Sequence, residues 1–377
     1  MSRSDSPSRL VAIDWMRGLV MVLMTIDHAS DAFNGGRVFS DSVSMWKPGT
    51  HLAFDQFMTR WITHLCAPTF VFLAGAALSL SVARREARGE PASSIDRHIV
   101  TRGLIIAALD PLWMSLGFSL WHRVILQVLY AIGLSLVWMA ALRRLPWRAL
   151  ALSALTLLIA IDLVVSHRIE SGGAAAGNAP LAVGLLVTGG RYWDYLIVGY
   201  PLFSWLAIMM LGWAFGSWLA ARPGVRPEGR LAIAGALSLI VFGVLRGYDH
   251  FGNMGLHRDD NSLVQWLHVS KYPPSLTYCT LELGIMALFL AAFFRISRGG
   301  SPAVLGPLGV LGANALFFYL LHLHLMMAAS YALGVHQKLG VGSAYVATAA
   351  TVFVLYFACR WYGRYKSTHH NFVTRYV

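Results

Sequence analysis

The chain alternates between long, almost wholly apolar stretches and short polar segments. The apolar stretches run over residues 10–30, 61–83, 100–119, 124–142, 149–166, 195–220, 231–246, 275–295, 306–333 and 343–361. Most are close to the roughly 20 residues that a helix needs to cross a hydrocarbon core of about 30 Å, some with tilt. The pattern therefore predicts an all-α, polytopic integral membrane helical bundle with about ten transmembrane helices.

The polar separators carry the orientation. Arg3, Arg9, Arg84, Arg85, Arg88, Arg97, Arg102, Arg143, Arg144, Arg148, Arg222, Arg226, Arg230, Arg295, Arg298, Arg360, Arg364, Lys366 and Arg375 gather in the segments of one side. Cytoplasmic loops carry the excess of Lys and Arg, so that side is read as cytoplasmic, with both termini on it. The opposite segments, 31–60, 167–194 and 247–274, are longer and rich in Gly, His, Asp, Trp and Tyr. Long irregular loops beside a rigid bundle tend to carry function. No internal repeat is evident, and the Gly/Ala stretch 172–177 is the main low-complexity segment.

Composition sharpens this picture. The chain is 56% hydrophobic and 13% charged, with a mean hydropathy of +0.57, whereas soluble domains carry about a quarter charged residues. The net charge of +12 resides in loops, which assigns it to topology and anionic-lipid contact rather than to a nucleic-acid surface. The polar segment 1–9 and the ionisable residues after it do not resemble a cleavable leader, so the first helix is expected to stay in the mature protein. A multi-pass protein of the cell's inner (cytoplasmic) membrane is expected. Cys66, Cys279 and Cys359 fall inside apolar spans without metal-ligand spacing, and read as buried free thiols.

The first span departs most from a plain membrane helix. It holds Asp14, Arg17, Asp27 and His28, and ionisable groups inside a span are costly unless they have a partner or a function. Arg17 and His28 are eleven residues apart, which at 3.6 residues per turn returns to the same face about 16 Å further on. Asp14, Arg17, Met21, Met24 and His28 thus form one stripe. His28 reads either as a histidine hydrogen-bonded at a helix end or as a general base or acyl acceptor. Arg17 reads as the partner of Asp14 at i,i+3, as a phosphate-binding guanidinium, or both. Gly18 lets a helix or a ligand approach closely.

Other candidates follow along the chain. His64 lies early in the second span at the depth of His28, and Pro68 and Gly75 are expected to loosen that helix. No metal site is expected there, because no convincing third and fourth ligand is present. Lys271, Tyr272 and Ser275, around two prolines, form either a rigid turn or an acceptor-binding edge. On the ninth span, Tyr319 and His322 are neighbours at i,i+3, and His322 and His324 point to different faces, so at most one faces the site. Asp162 and Glu282 are further buried acids.

Together, Asp14-x-x-Arg17-Gly18, the Arg17…His28 spacing, the run Ala67-Pro68-Thr-Phe70-Val-Phe72-x-x-Gly75, Lys271-Tyr-Pro-Pro-Ser275-Leu and Phe318-Tyr319-Leu-Leu-His322 resemble the bacterial branch of the heparan-α-glucosaminide N-acetyltransferase catalytic-domain family. The Arg…His spacing is also similar to that of the wider transmembrane acyltransferase superfamily. The resemblance extends over essentially the whole chain, read as one acyltransferase-like domain, 1–377. It implies transfer of an acetyl group from cytoplasmic acetyl-CoA, as co-substrate, to a sugar or glycan acceptor near the outer face. By analogy with related transferases, a homodimer in contact with membrane lipid is expected. In these terms His28 is the expected catalytic residue, oriented by Asp27 or His64. Arg17, with Asp14 and Gly18, is expected to hold coenzyme A, assisted by the basic 84–102 segment. Lys271, Tyr272, Ser275, Tyr319 and His322 are expected to face the acceptor. The Arg17-to-His28 separation is comparable to the reach of an extended pantetheine arm.

In the family's lysosomal member the position of His28 is asparagine, and the catalytic histidine lies in the following loop, where this chain has His51. The catalytic histidine is therefore a choice between His28 and His51, and the match to glycan O-acyltransferases favours His28. Two rival classes stand beside this reading: a transporter of an anionic or lipid-linked substrate, and a polytopic scaffold tolerant of alanine at both Arg17 and His28.

Overall fold

A computed structural model describes residues 10–43, 45–171, 179–369, 371 and 374. Arg3, Arg9 and Arg375, which contribute to the expected orientation, and the Gly/Ala stretch 172–177 lie outside the described residues.

The helices are α1 (Val11–Phe33), α2 (Phe54–Trp61), α3 (Cys66–Ala87), α4 (Ala92–Leu109), α5 (Ser115–Ser119), α6 (Val128–Leu142), α7 (Trp147–Glu170), α8 (Leu181–Val183), α9 (Leu202–Ala220), α10 (Glu228–Tyr248), α11 (Leu263–Leu267), α12 (Leu276–Arg298), α13 (Gly306–Ala313), α14 (Ala315–Ala332) and α15 (Gly342–Thr368). This is an all-α bundle. Among the described residues, eight helical stretches are long and apolar enough to cross a membrane. Two expected spans fall short for physical reasons. Helix α6 has 15 residues, and α1 carries Asp14, Arg17, Asp27 and Asp31. α1 nevertheless sits inside the bundle, packed by α3, α12, α13, α14 and α15. Protein rather than lipid surrounds it, so its charges can be met by partners.

The helices approach through small residues, as expected where lipid removes the hydrophobic drive between them. A Cβ on Gly18 would stand 2.1 Å from the carbonyl oxygen of Leu308, and one on Gly312 would stand 1.8 Å from that of Asp14. Gly18 therefore seats α13 against α1, and its open face is not available to a ligand. Gly75 likewise admits the Met209 carbonyl of α9. It packs two helices together within an unbroken α3, rather than loosening that helix as expected.

Two expected spans are interrupted. The ninth breaks at Asn314, where φ of −120° ends α13 and α14 starts. The sixth starts at Leu202 rather than at residue 195, because the preceding residues are extended. β1 (Val124–Leu126) pairs in parallel with β3 (Leu196–Val198), and β3 pairs antiparallel with β2 (Gly190–Tyr192). This small sheet lies at the end of the bundle that carries the long loops. The three cysteines are free and buried, as expected.

Thr50 in the 34–53 segment and Ser93 at the start of α4 are both exposed. With both termini cytoplasmic, Thr50→Cys should react with an impermeant maleimide added outside intact cells, and Ser93→Cys only after permeabilisation. The native thiols should stay silent in both, because they are buried. The opposite pattern would invert the bundle.

Candidate active site

The stripe on α1 runs through a series of cavities. At the basic end of the bundle, a cavity of about 390 Å³ is lined by Arg17 and Met21 of α1, by Arg84 and Arg85 of α3, by His98 and Arg102 of α4 and by Lys366 of α15. A wider cleft of about 1020 Å³ opens beside it and shares Arg17 and Arg84. Deeper lies a chamber of about 30 Å³, lined by Met24, Asp27, His28, Cys66, Gln127, Lys271 and Tyr319 among others. Phe70, Val128 and Tyr319 line both the basic cavity and the chamber, so these three side chains form the partition. At the loop end, a cavity of about 660 Å³ is lined by Asp27, His28, Arg37, Phe39, Asp41, Arg60, Tyr200 and Tyr272 and by the small sheet. His28 lines both the chamber and this outer cavity, so it stands at the waist of the series.

Around the waist the charges are paired. Arg60 of α2 contacts the Asp27 carboxylate at 2.5 Å and that of Asp41 at 2.7 Å. Arg37 contacts Asp27 at 3.0 Å and Asp31 at 3.6 Å. His64 Nε2 lies 3.1 Å from Asp41 Oδ2. Burial alone would raise the pKa of Asp41. The Arg60 guanidinium and the hydrogen bond from His64 more than offset this and hold the carboxyl well below the usual carboxylate range. The cluster ties the 34–53 segment to α1 and α2. Ser42 Oγ donates to the Tyr272 carbonyl and Lys271 N donates to the Asp41 carbonyl, which brings the loop before α12 into the same wall.

His28 itself is bonded elsewhere. Its Nδ1 lies 2.6 Å from Nε2 of His322 on α14, and the two rings stack at 4.9 Å between centroids. Phe118 closes the edge at 5.4 Å. Neither expected orienting residue has this role. Asp27 is committed to Arg37 and Arg60, and His64 turns to Asp41. The reason is electrostatic: a buried carboxylate is held most strongly by guanidinium forks, and Asp27 has two within reach. His322 thus lies beneath His28 instead of facing an acceptor. His324 points away to Trp113, as the helical period requires.

The remaining expected residues divide similarly. Arg17 donates to the Leu73 carbonyl at 3.1 Å and lies 3.6 Å from Asp14. It lines both clefts at the basic end. Lys271 lines the chamber, with its ammonium 5.3 Å from the centre of the Tyr272 ring. Tyr272 lines the outer cavity. Ser275 is fully buried and caps α12, accepting from Tyr278 N at 3.1 Å. A side chain spent on a helix cap and on Asn253 is not an acceptor contact. His51 is exposed and lines none of these cavities.

Several wall residues carried no signal in the sequence. Arg37, Arg60 and Asp41 lie in a loop and a short helix whose pairing is long-range. Asp110, on a π turn spanning Asp110–Met114, accepts from Gln127 N at 2.8 Å and Tyr130 N at 2.7 Å. It thereby caps α6 and sets Gln127 and Val128 into the chamber wall. The one available hint was an aspartate followed by proline within an apolar span.

A family model described as "Heparan-alpha-glucosaminide N-acetyltransferase, catalytic" matches residues 9–246, more than half of the chain. It includes Arg17, His28, Arg60 and His64, and it stops before Lys271, Tyr319 and His322. No curated protein matches the chain.

Removing Arg60 leaves buried Asp27 to Arg37 alone and buried Asp41 to the His64 hydrogen bond alone, so Arg60→Ala should cost about 3–5 kcal/mol of stability, read as a lowered thermal midpoint in detergent. Because the folded pKa of Asp41 is depressed, its contribution is present above about pH 4, the unfolded carboxylate range, and is lost as pH falls below it. Asp41→Asn should therefore lower the midpoint at pH 7, and its deficit against wild type should shrink as the pH drops below about 4.

Proposed function

The chain belongs to the heparan-α-glucosaminide N-acetyltransferase catalytic family, a family of membrane N-acetyltransferases, and on that premise we propose that it moves an acetyl group from cytoplasmic acetyl-CoA to a sugar hydroxyl or amine at the opposite face of the inner membrane. One observation carries the proposal. The histidine that the spacing singles out stands where a chamber on the Arg17 side meets an open cavity on the loop side.

The donor end suits a phosphorylated nucleotide. Arg17, Arg84, Arg85, His98, Arg102 and Lys366 ring a cavity whose inner wall is apolar, with Met21, Phe70, Leu129 and Ile132. Guanidinium and ammonium groups match phosphate oxygens, and the apolar wall matches a pantetheine arm threading inwards. Asp14 keeps Arg17 aligned. The thioester then lies at the partition of Phe70, Val128 and Tyr319.

The acceptor end suits a sugar. Tyr200, Tyr272 and Phe39 offer flat faces, and Asp31 and Arg191 offer hydrogen-bonding groups. His28 takes the proton of the acceptor hydroxyl or amine as its oxygen or nitrogen attacks the thioester carbonyl carbon. Lys271 faces the negative charge that grows on the carbonyl oxygen. The C–S bond breaks, and the imidazolium of His28 returns the proton to the departing thiolate. A transporter of anionic substrates has no need of acetyl-CoA turnover, so turnover separates the two readings.

Purified protein in proteoliposomes, given radiolabelled acetyl-CoA and amino-sugar or hydroxyl-sugar acceptors, should transfer or hydrolyse the acetyl group. Absence of both would end the acyltransferase reading. Arg17→Ala should weaken coenzyme A binding about tenfold, and Arg17→Lys should restore it poorly, because a point charge lacks the planar fork. His28→Ala should lower turnover by about a hundredfold or more while coenzyme A still binds, since positioned acid–base groups contribute about 10²–10⁴. His51→Ala should stay near wild type; an essential His51 and a silent His28→Asn would reassign the catalytic histidine.

A further inference from the structure

We propose that His322 is a positioning residue that sets the tautomer of His28, holding the proton on His28 Nδ1 and leaving His28 Nε2 bare as the atom that takes the acceptor's proton. The proposal rests on the acyltransferase reading for its chemistry, and on hydrogen-bond geometry alone for the tautomer.

His322 Nδ1 lies 2.7 Å from the Tyr319 carbonyl oxygen and 3.3 Å from that of Phe318. Carbonyl oxygens only accept, so Nδ1 of His322 carries a proton; a lone pair there would face two oxygens. A neutral imidazole protonated at Nδ1 is bare at Nε2. That bare Nε2 is the atom 2.6 Å from His28 Nδ1. One of two nitrogens at this distance must donate, so the proton between them belongs to His28 Nδ1. His28 Nε2 is then unprotonated. It has no hydrogen-bond partner among the described residues, on a ring that lines the chamber and the outer cavity.

The alternative is a doubly protonated His322. That would bury a cation with no carboxylate to meet it, because Asp27 is spent on Arg37 and Arg60, and Lys271 already brings a cation to the chamber that His28 lines. When His28 accepts the acceptor's proton, its Nδ1–H bond to His322 becomes charge-assisted and stronger. The pair thus supplies what a carboxylate supplies beneath the histidine of a hydrolase triad: fixed orientation, fixed tautomer and stabilisation of the imidazolium. Here it does so without a second ion in an apolar helix pack.

Three variants test this: His322→Leu removes the acceptor, His322→Gln replaces it at similar reach, and His322→Asn is too short. His322→Leu should lower kcat by about a hundredfold or more while KM for acetyl-CoA and coenzyme A affinity change less than about twofold, the pattern of a lost transition-state interaction. His322→Gln should recover about tenfold of that loss and His322→Asn should not. Wild-type kcat in His322→Leu, or equal kcat in the two amide variants, would overturn the proposal. If His322→Leu does not fold, the comparison of the two amides decides. A second measurement does not depend on acetyl transfer. Diethylpyrocarbonate attacks a bare imidazole nitrogen, so the carbethoxylation rate of His28, mapped by mass spectrometry, should be severalfold slower in His322→Asn than in His322→Gln or wild type. An unchanged rate would overturn the tautomer assignment. A wild type without turnover, but with this pattern of carbethoxylation, would instead remove the acyltransferase reading and leave the tautomer assignment standing.

Discussion

A carboxylate inside an apolar helix pack must be met by a cation or by hydrogen-bond donors, and the loop end of this bundle is organised around that requirement. Asp27 is buried within α1, where its carboxylate needs a cation close by. Arg37 and Arg60 reach it from the following loop and from α2. Arg60 then meets Asp41, which in turn takes the hydrogen bond of His64. The chain between α1 and α3 is therefore drawn down over the helix ends as a wall, and the loop before α12 is stitched to it by backbone and hydroxyl contacts. A desolvated ion pair of this sort adds little net stability compared with an apolar replacement, but losing one partner is severe. It works as a geometric specification of the outer cavity.

The same requirement shapes the chemistry at the waist. With Asp27 occupied, the partner left to His28 is a neutral imidazole. In the proposed reaction His28 gains and loses a proton in turn, and a neutral partner suits that, since a neighbouring carboxylate would favour the charged form throughout. Cations line the Arg17 side of His28: Arg17 and its neighbours at the basic end, and Lys271 in the chamber. The partition of Phe70, Val128 and Tyr319 keeps the two larger cavities apart. On the proposed reading, a small group passes across this partition and a whole substrate does not.

Much of this was legible along the chain. Hydrophobic run length marked the spans, and two of its failures are instructive. The strand ahead of α9 is apolar enough to be taken for helix, since a short apolar run has no period of its own. The break at Asn314 lies within a long apolar stretch and is visible only once Gly312 is seen against the Asp14 carbonyl. Residue types at the site were legible too, but several of their partners were not. Asp27, His64, Ser275 and Gly18 were read as functional because polar or small residues in a span invite that reading. Each is occupied with a guanidinium, a carboxylate, a helix end or a neighbouring backbone.

What the sequence determined by itself is local and periodic: the helical character, the positions of the spans, and the single face shared by Arg17, Met21, Met24 and His28, which the lining of successive cavities bears out. These follow from 3.6 residues per turn and from the cost of exposing backbone to lipid, neither of which needs knowledge of distant residues. What only the tertiary structure decided is which group each polar side chain meets. His28 and His322 are 294 residues apart, and Asp27 is 33 residues from Arg60. Hydrogen bonds and ion pairs act over a few ångströms in space and are indifferent to separation along the chain, so their partners are set by how the helices pack.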